Sequence, residues 1–144
     1  MNQVNEMSGK KITVAVDIDA PAEKAWRYFT EPAHIMQWNF ASDDWECPRA
    51  ENDVRVGGKL KSRMQAKDQS AGFEFVATYT RVEPFKRLDF TMGDGRTVQV
   101  EFAPTPGGTK VTETFEMEST HSEELQRSGW QAILDNFKKH VEKS

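Results

Sequence analysis

A carboxylate in a row of core side chains is costly unless something pairs with it, and Glu113 occupies such a position. It keeps register with Val111, Phe115 and Met117, the side of a strand that alternation assigns to the interior. Burial there would raise its pKa, so that it could act as an acid or base or orient a ligand. A nearby strand edge, or a pairing arginine such as Arg96, would make the same residue structural instead. Gln126, Asn136 and His140 pose the same question inside the otherwise apolar arc of the last helix. They either hydrogen-bond to strand ends or supply the few polar groups that orient a guest in an apolar pocket. Gly129 on that helix either permits close packing on the sheet or leaves room for a guest.

Other chemistries lack a signature. His34, His121 and His140 are isolated in sequence, and no His or Cys pair has metal-ligand spacing, so no metal is expected. Cys47 has no base nearby, and no Gly-x-Ser-x-Gly, dinucleotide fingerprint or P-loop is present, so no catalytic residue and no cofactor are assigned. Arg55, Lys59, Lys61, Arg63 and Lys67 form a basic stripe: a solvated outer strand face, or a surface for an acidic protein partner. Gly57-Gly58 leads into a strand and not a helix N-terminus, which speaks against phosphate capture.

The elements that must position these residues follow from periodicity. Ser122 to Val141 reads as a helix whose Leu125, Gly129, Trp130, Ala132, Ile133, Leu134, Phe137 and Val141 fill one wide arc. At 1.5 Å per residue it would reach about 30 Å and cross a small sheet. Ile12, Val14, Val16 and Ile18 alternate as a first strand. Asp19-Ala20-Pro21 opens a short helix carrying Ala22, Ala25, Trp26 and Phe29, and Pro32 ends it; a second short helix reaches Trp38. Asn39 to Pro48 reads as an irregular, acidic and aromatic loop, with Phe40 and Trp45 as a lid or an anchor, before a short strand near Arg49 to Glu51. Four further strands carry Leu60 to Met64, Phe73 to Val82, Leu88 to Met92 and Val98 to Phe102, and a last one carries Val111 to Met117. Gly93-Asp94-Gly95 marks a hairpin, and Thr120 with Glu123 a capping box. The order β-α-α-β-β-β-β-β-β-α is an α+β meander.

The totals narrow the class. One hundred and forty-four residues, 37% hydrophobic and 29% charged, suit one folded domain over residues 11–144 behind a flexible tail of residues 1–10. No apolar run is long enough to span a membrane and no secretion signal is visible; one cysteine suits the reducing cytoplasm. A net charge of −4 disfavours nucleic acid.

Ala20-Pro21 with Trp26, Trp38 closing the second helix, Arg55-x-Gly57-Gly58, Gly108-Thr109, and Gly129-Trp130 followed by Leu134 and Phe137 form an ordered set. By these residues the chain, over about Lys11 to Glu142, resembles the activator of heat shock protein 90 ATPase homologue-like branch of the SRPBCC (START-like, helix-grip) superfamily. The resemblance implies a curved antiparallel seven-stranded sheet wrapped on a long C-terminal helix, with a cavity that often takes an apolar ligand. It does not imply co-chaperone activity, to which a separate N-terminal domain contributes in the co-chaperone itself. The residues expected to line a ligand are Trp38, Phe40, Trp45, Met64, Phe75, Phe90, Glu113, Phe115, Gln126, Trp130, Ile133 and Phe137. The expected partner is a small hydrophobic molecule. A protein partner on the outer face, or a cyclase- or hydrolase-like reaction at a pocket carboxylate, are the alternatives.

Overall fold

Period-two alternation becomes seven strands in a single sheet. The computed structural model describes residues 10–143. Its chain order is β1 (Lys11–Ile18), α1 (Ala22–Thr30), α2 (Pro32–Trp38), β2 (Trp45–Asn52), β3 (Lys59–Ala66), β4 (Gly72–Glu83), β5 (Arg87–Met92), β6 (Thr97–Thr105), β7 (Gly108–Glu116) and α3 (Glu123–Lys143). Strands β2 to β7 form an antiparallel meander, and β7 returns beside β1, giving the order β1-β7-β6-β5-β4-β3-β2. The sheet curls into a half-barrel around α3, the helix-grip architecture. Inner-face residues from every strand and Leu134, Phe137 and Val141 of α3 make one core.

Tight turns carry the meander. Gly57 takes φ +86°, and a Cβ on Gly58 would lie 2.1 Å from the Asp53 carbonyl oxygen, so the bend into β3 requires both glycines. Gly95 at φ +94° closes the β5–β6 hairpin.

Three local expectations give way, at the first helix, at the loop after α2 and at the cap of the last helix. Residues 1–9 of the expected tail lie outside the described residues, but Lys10 is tied down. Its carbonyl accepts from the Met117 amide at 2.7 Å, and its ammonium pairs with Glu123 at 2.5 Å. The first helix is not capped by Asp19. Pro21 holds the N-cap position, and the Asp19 amide donates to the Glu142 carboxylate at 2.9 Å. The loop after α2 ends at Asp44, since β2 already begins at Trp45. That strand is an edge, and a register shift between Glu46 and Arg49 accommodates Pro48, which has no N–H for the ladder. Finally, the last helix is capped by Ser122 and not by Thr120. Ser122 Oγ accepts from the Leu125 amide at 3.1 Å, while the Thr120 and His121 amides donate to the Glu118 carboxylate.

Candidate functional site

Between α3 and the sheet lies a cavity of about 250 Å³. Its floor is the inner face of β3, β4 and β5, from Leu60, Ser62 and Met64 through Phe73 and Phe75 to Phe90 and Met92. Trp130 and Ile133 of α3 form the roof. Phe29 of α1, Ile35 and Trp38 of α2, and Asn39 close one end; Glu113 of β7 and Arg96 of the β5–β6 turn supply its two ionisable groups. The floor there includes small Ser62, and in the roof Trp130 lies flat against Phe115, rings 3.9 Å apart and 10° from parallel.

Glu113 is 8% exposed and sits on an internal strand, paired across to Val14 and Val100. A strand edge therefore does not explain it. Nor does Arg96, whose Nε donates to Asp94 at 2.8 Å and whose Nη1 donates to the Glu116 carbonyl at 3.2 Å. No hydrogen bond or ion pair joins the Glu113 carboxyl to a described residue. Burial alone pushes its pKa up from 4.5 to about 8. Near neutral pH the group is mostly the uncharged acid, one O–H donor with spare acceptor capacity, facing a cavity. The other polar wall is quieter. Asn39 Nδ2 donates to Ser62 Oγ at 3.1 Å, and Trp38 Nε1 donates to the Tyr28 carbonyl at 3.0 Å.

Of the residues expected at a ligand, Trp38, Met64, Phe75, Phe90, Glu113, Trp130 and Ile133 meet in this cavity. The other five lie elsewhere. Phe115 is covered by Trp130, and Phe137 is fully buried against Phe29 and Trp38. Phe40 packs on the core, and Trp45 leans on Phe73 with rings 6.2 Å apart. Gln126 braces the start of α3: its Oε1 accepts from the Glu118 amide, and its Nε2 donates to the Glu118 and His121 carbonyls. Asn136 likewise donates to the Phe40 carbonyl at 2.6 Å. The histidines isolated in sequence are not all isolated in space. His34 Nδ1 and His140 Nε2 lie 2.9 Å apart, and His34 stacks on Tyr28.

Phe29, Ile35, Asn39, Leu60, Ser62, Phe73, Met92 and Arg96 line the cavity without having been expected there. Strand parity held the signal for Leu60, Ser62, Phe73 and Met92, which share faces with Met64, Phe75 and Phe90. For Asn39 and Arg96, both in turns, no such period exists. Among the described residues no group of three or more His, Cys, Asp or Glu side chains could hold a metal ion. No described helix is long and apolar enough to cross a membrane. Burial pushes the Cys47 thiol up, away from the reactive thiolate.

Known structures share this fold. An AHSA1-like protein from Aeromonas hydrophila, solved in solution, is 48% identical over 93% of each chain, with a TM-score of 0.88. A Cytophaga hutchinsonii protein, also solved in solution, is 46% identical over 92% of each chain, with a TM-score of 0.80. The crystal structure of CV1439 from Chromobacterium violaceum aligns over 92% of this chain and 97% of that one, at 25% identity and a TM-score of 0.82. No curated protein matches the chain. Residues 19–142 match the family described as Activator of Hsp90 ATPase homolog 1-like protein, and with the helix-grip fold and the cavity in place the chain belongs to that family.

Proposed function

We propose that this protein is a binding module for a small, largely apolar molecule held between α3 and the sheet. The observation that carries the reading is the cavity itself: about 250 Å³, walled mainly by aromatic and aliphatic side chains, with few polar groups. Ligand pockets have this composition, and their usual range begins at roughly 300 Å³, so the guest is small. Binding is favoured over catalysis because Glu113 is the one carboxyl on the cavity wall, no His or Cys lines it, and the Ser62 hydroxyl there is engaged by Asn39. The basic stripe supports a protein partner less well, since Arg55 pairs with Asp53 and Arg63 with Glu74. The lone buried Cys47 fits work in the reducing cytoplasm.

Native mass spectrometry of freshly purified protein, followed by extraction, should release a small apolar compound. Titration with n-octanol or 2-naphthol should shift the amide resonances of Ser62, Phe90, Glu113 and Ile133. Ile133→Phe, which fills the roof, should fold normally and weaken both probes at least tenfold. Full affinity in that variant would move the site out of this cavity.

A further inference from the structure

The cavity's polar chemistry is lopsided. Arg96 is already committed to Asp94 and to the Glu116 carbonyl, and the Asn39 amide to Ser62. Glu113, a residue 8% exposed, brings the one carboxyl on the cavity wall, and no described residue hydrogen-bonds to it. A buried acceptor left unmatched by its own protein is costly, and a ligand donor placed there recovers that cost. The walls add a second selection. Phe29, Trp38, Phe73, Phe75, Phe90 and Trp130 all line the space, and aromatic rings attract cations at their faces and disfavour anions there.

We propose that the guest is an apolar amine, its protonated nitrogen seated against the Glu113 carboxylate and its hydrocarbon part between the aromatic walls. The assignment rests on the cavity being a ligand site and names the head group that site selects. Seating the ammonium converts the neutral acid to a carboxylate, and the proton leaves to solvent. One ion pair forms and the charge balances. The groups facing Glu113 do not compete: β1 offers Val14, β6 offers Val100, and α3 offers Trp130 and Ile133. Arg96 is the one other charged residue on the cavity wall, and its pairing with Asp94 offsets its repulsion of a cation.

The test is calorimetry of the wild-type protein with n-octylamine, n-octanol and octanoate at pH 7, repeated in phosphate and Tris to count protons. The amine should bind at least tenfold tighter than the alcohol, octanoate should bind weakest, and the amine should release about one proton. Amine affinity should climb about tenfold per pH unit from 6 towards 8, because the free acid must ionise, and then level off. In Glu113→Gln both the amine's advantage and the proton release should vanish. If octanol binds as tightly as the amine, or the amine binds without releasing a proton, the amine assignment falls while the cavity stays a ligand site. If none of the three binds, the ligand-site reading falls and takes the amine with it.

Discussion

Protonated Glu113 is the form the folded protein prefers. Its pKa is about 8 in the folded state and near 4.5 when exposed, so between those values the folded chain holds more protons than the unfolded one. Stability contributed by this group is therefore fully present below about pH 4.5 and is lost as pH rises through 8. At about 1.4 kcal/mol per pKa unit the loss amounts to a few kcal/mol. Glu113→Gln keeps the shape and removes the titration. The variant should be more stable than the wild type at pH 8.5, by on the order of a few kcal/mol, with the gap shrinking towards pH 5. Urea unfolding at the two pH values measures it, and an equal gap at both would place the carboxyl in a solvated setting. The sequence showed that Glu113 faces inward, because strand parity is a local property. It could not show that Arg96 would turn to Asp94 instead, because that choice is made by a hairpin and a neighbouring strand.

The long helix is legible from its periodicity, and its two ends less so. Ser122 directly precedes the first helical residue, so its hydroxyl reaches the Leu125 amide; Thr120 lies too early and its amide is taken by Glu118. Ser122→Ala should cost about 1 kcal/mol and Thr120→Ala much less, as measured by thermal unfolding. Gly129 is the other lesson. Close packing on the sheet was one of the two readings of this glycine, yet a Cβ placed there meets nothing within 4 Å. Gly129→Ala should therefore stabilise the protein by about 0.5–1 kcal/mol through lower backbone entropy in the unfolded chain. Destabilisation in the same assay would mean that the helix seats more deeply on the sheet. Strand β2 was misjudged at its start because an edge strand with a proline and a bulge lacks the clean alternation that marks its neighbours.

At the scale of the whole molecule, two packing regimes meet under one helix. Towards its C-terminus α3 is interlocked with α1 and α2: Phe137 meets Phe29 and Trp38 edge-on, with no exposure left. Phe137→Ala should cost about 3–5 kcal/mol in chemical unfolding, since the surrounding rings cannot collapse into the gap. Towards its N-terminus the same helix spans the hollow on Trp130 and Ile133. Asn136 and His140, both in its C-terminal half, meet the Phe40 carbonyl and His34 on the α2 side, and its ties to the sheet run along β1. Glu123 is held by Lys10, Gln131 by the Ala15 carbonyl, Lys138 by the Asp17 carbonyl and Glu142 by the Asp19 amide, all along the β1 flank. No hydrogen bond or ion pair joins residues 123–133 to β3, β4 or β5 among the described residues. Over residues 123–133 the helix is thus a door with its hinges on β1 and no latch on the far jamb, where half-exposed Phe73 stands at the sill. A guest moving to or from the hollow would pass on that side, so a cross-link from α3 to β4 would slow both its arrival and its escape while leaving its equilibrium affinity nearly unchanged.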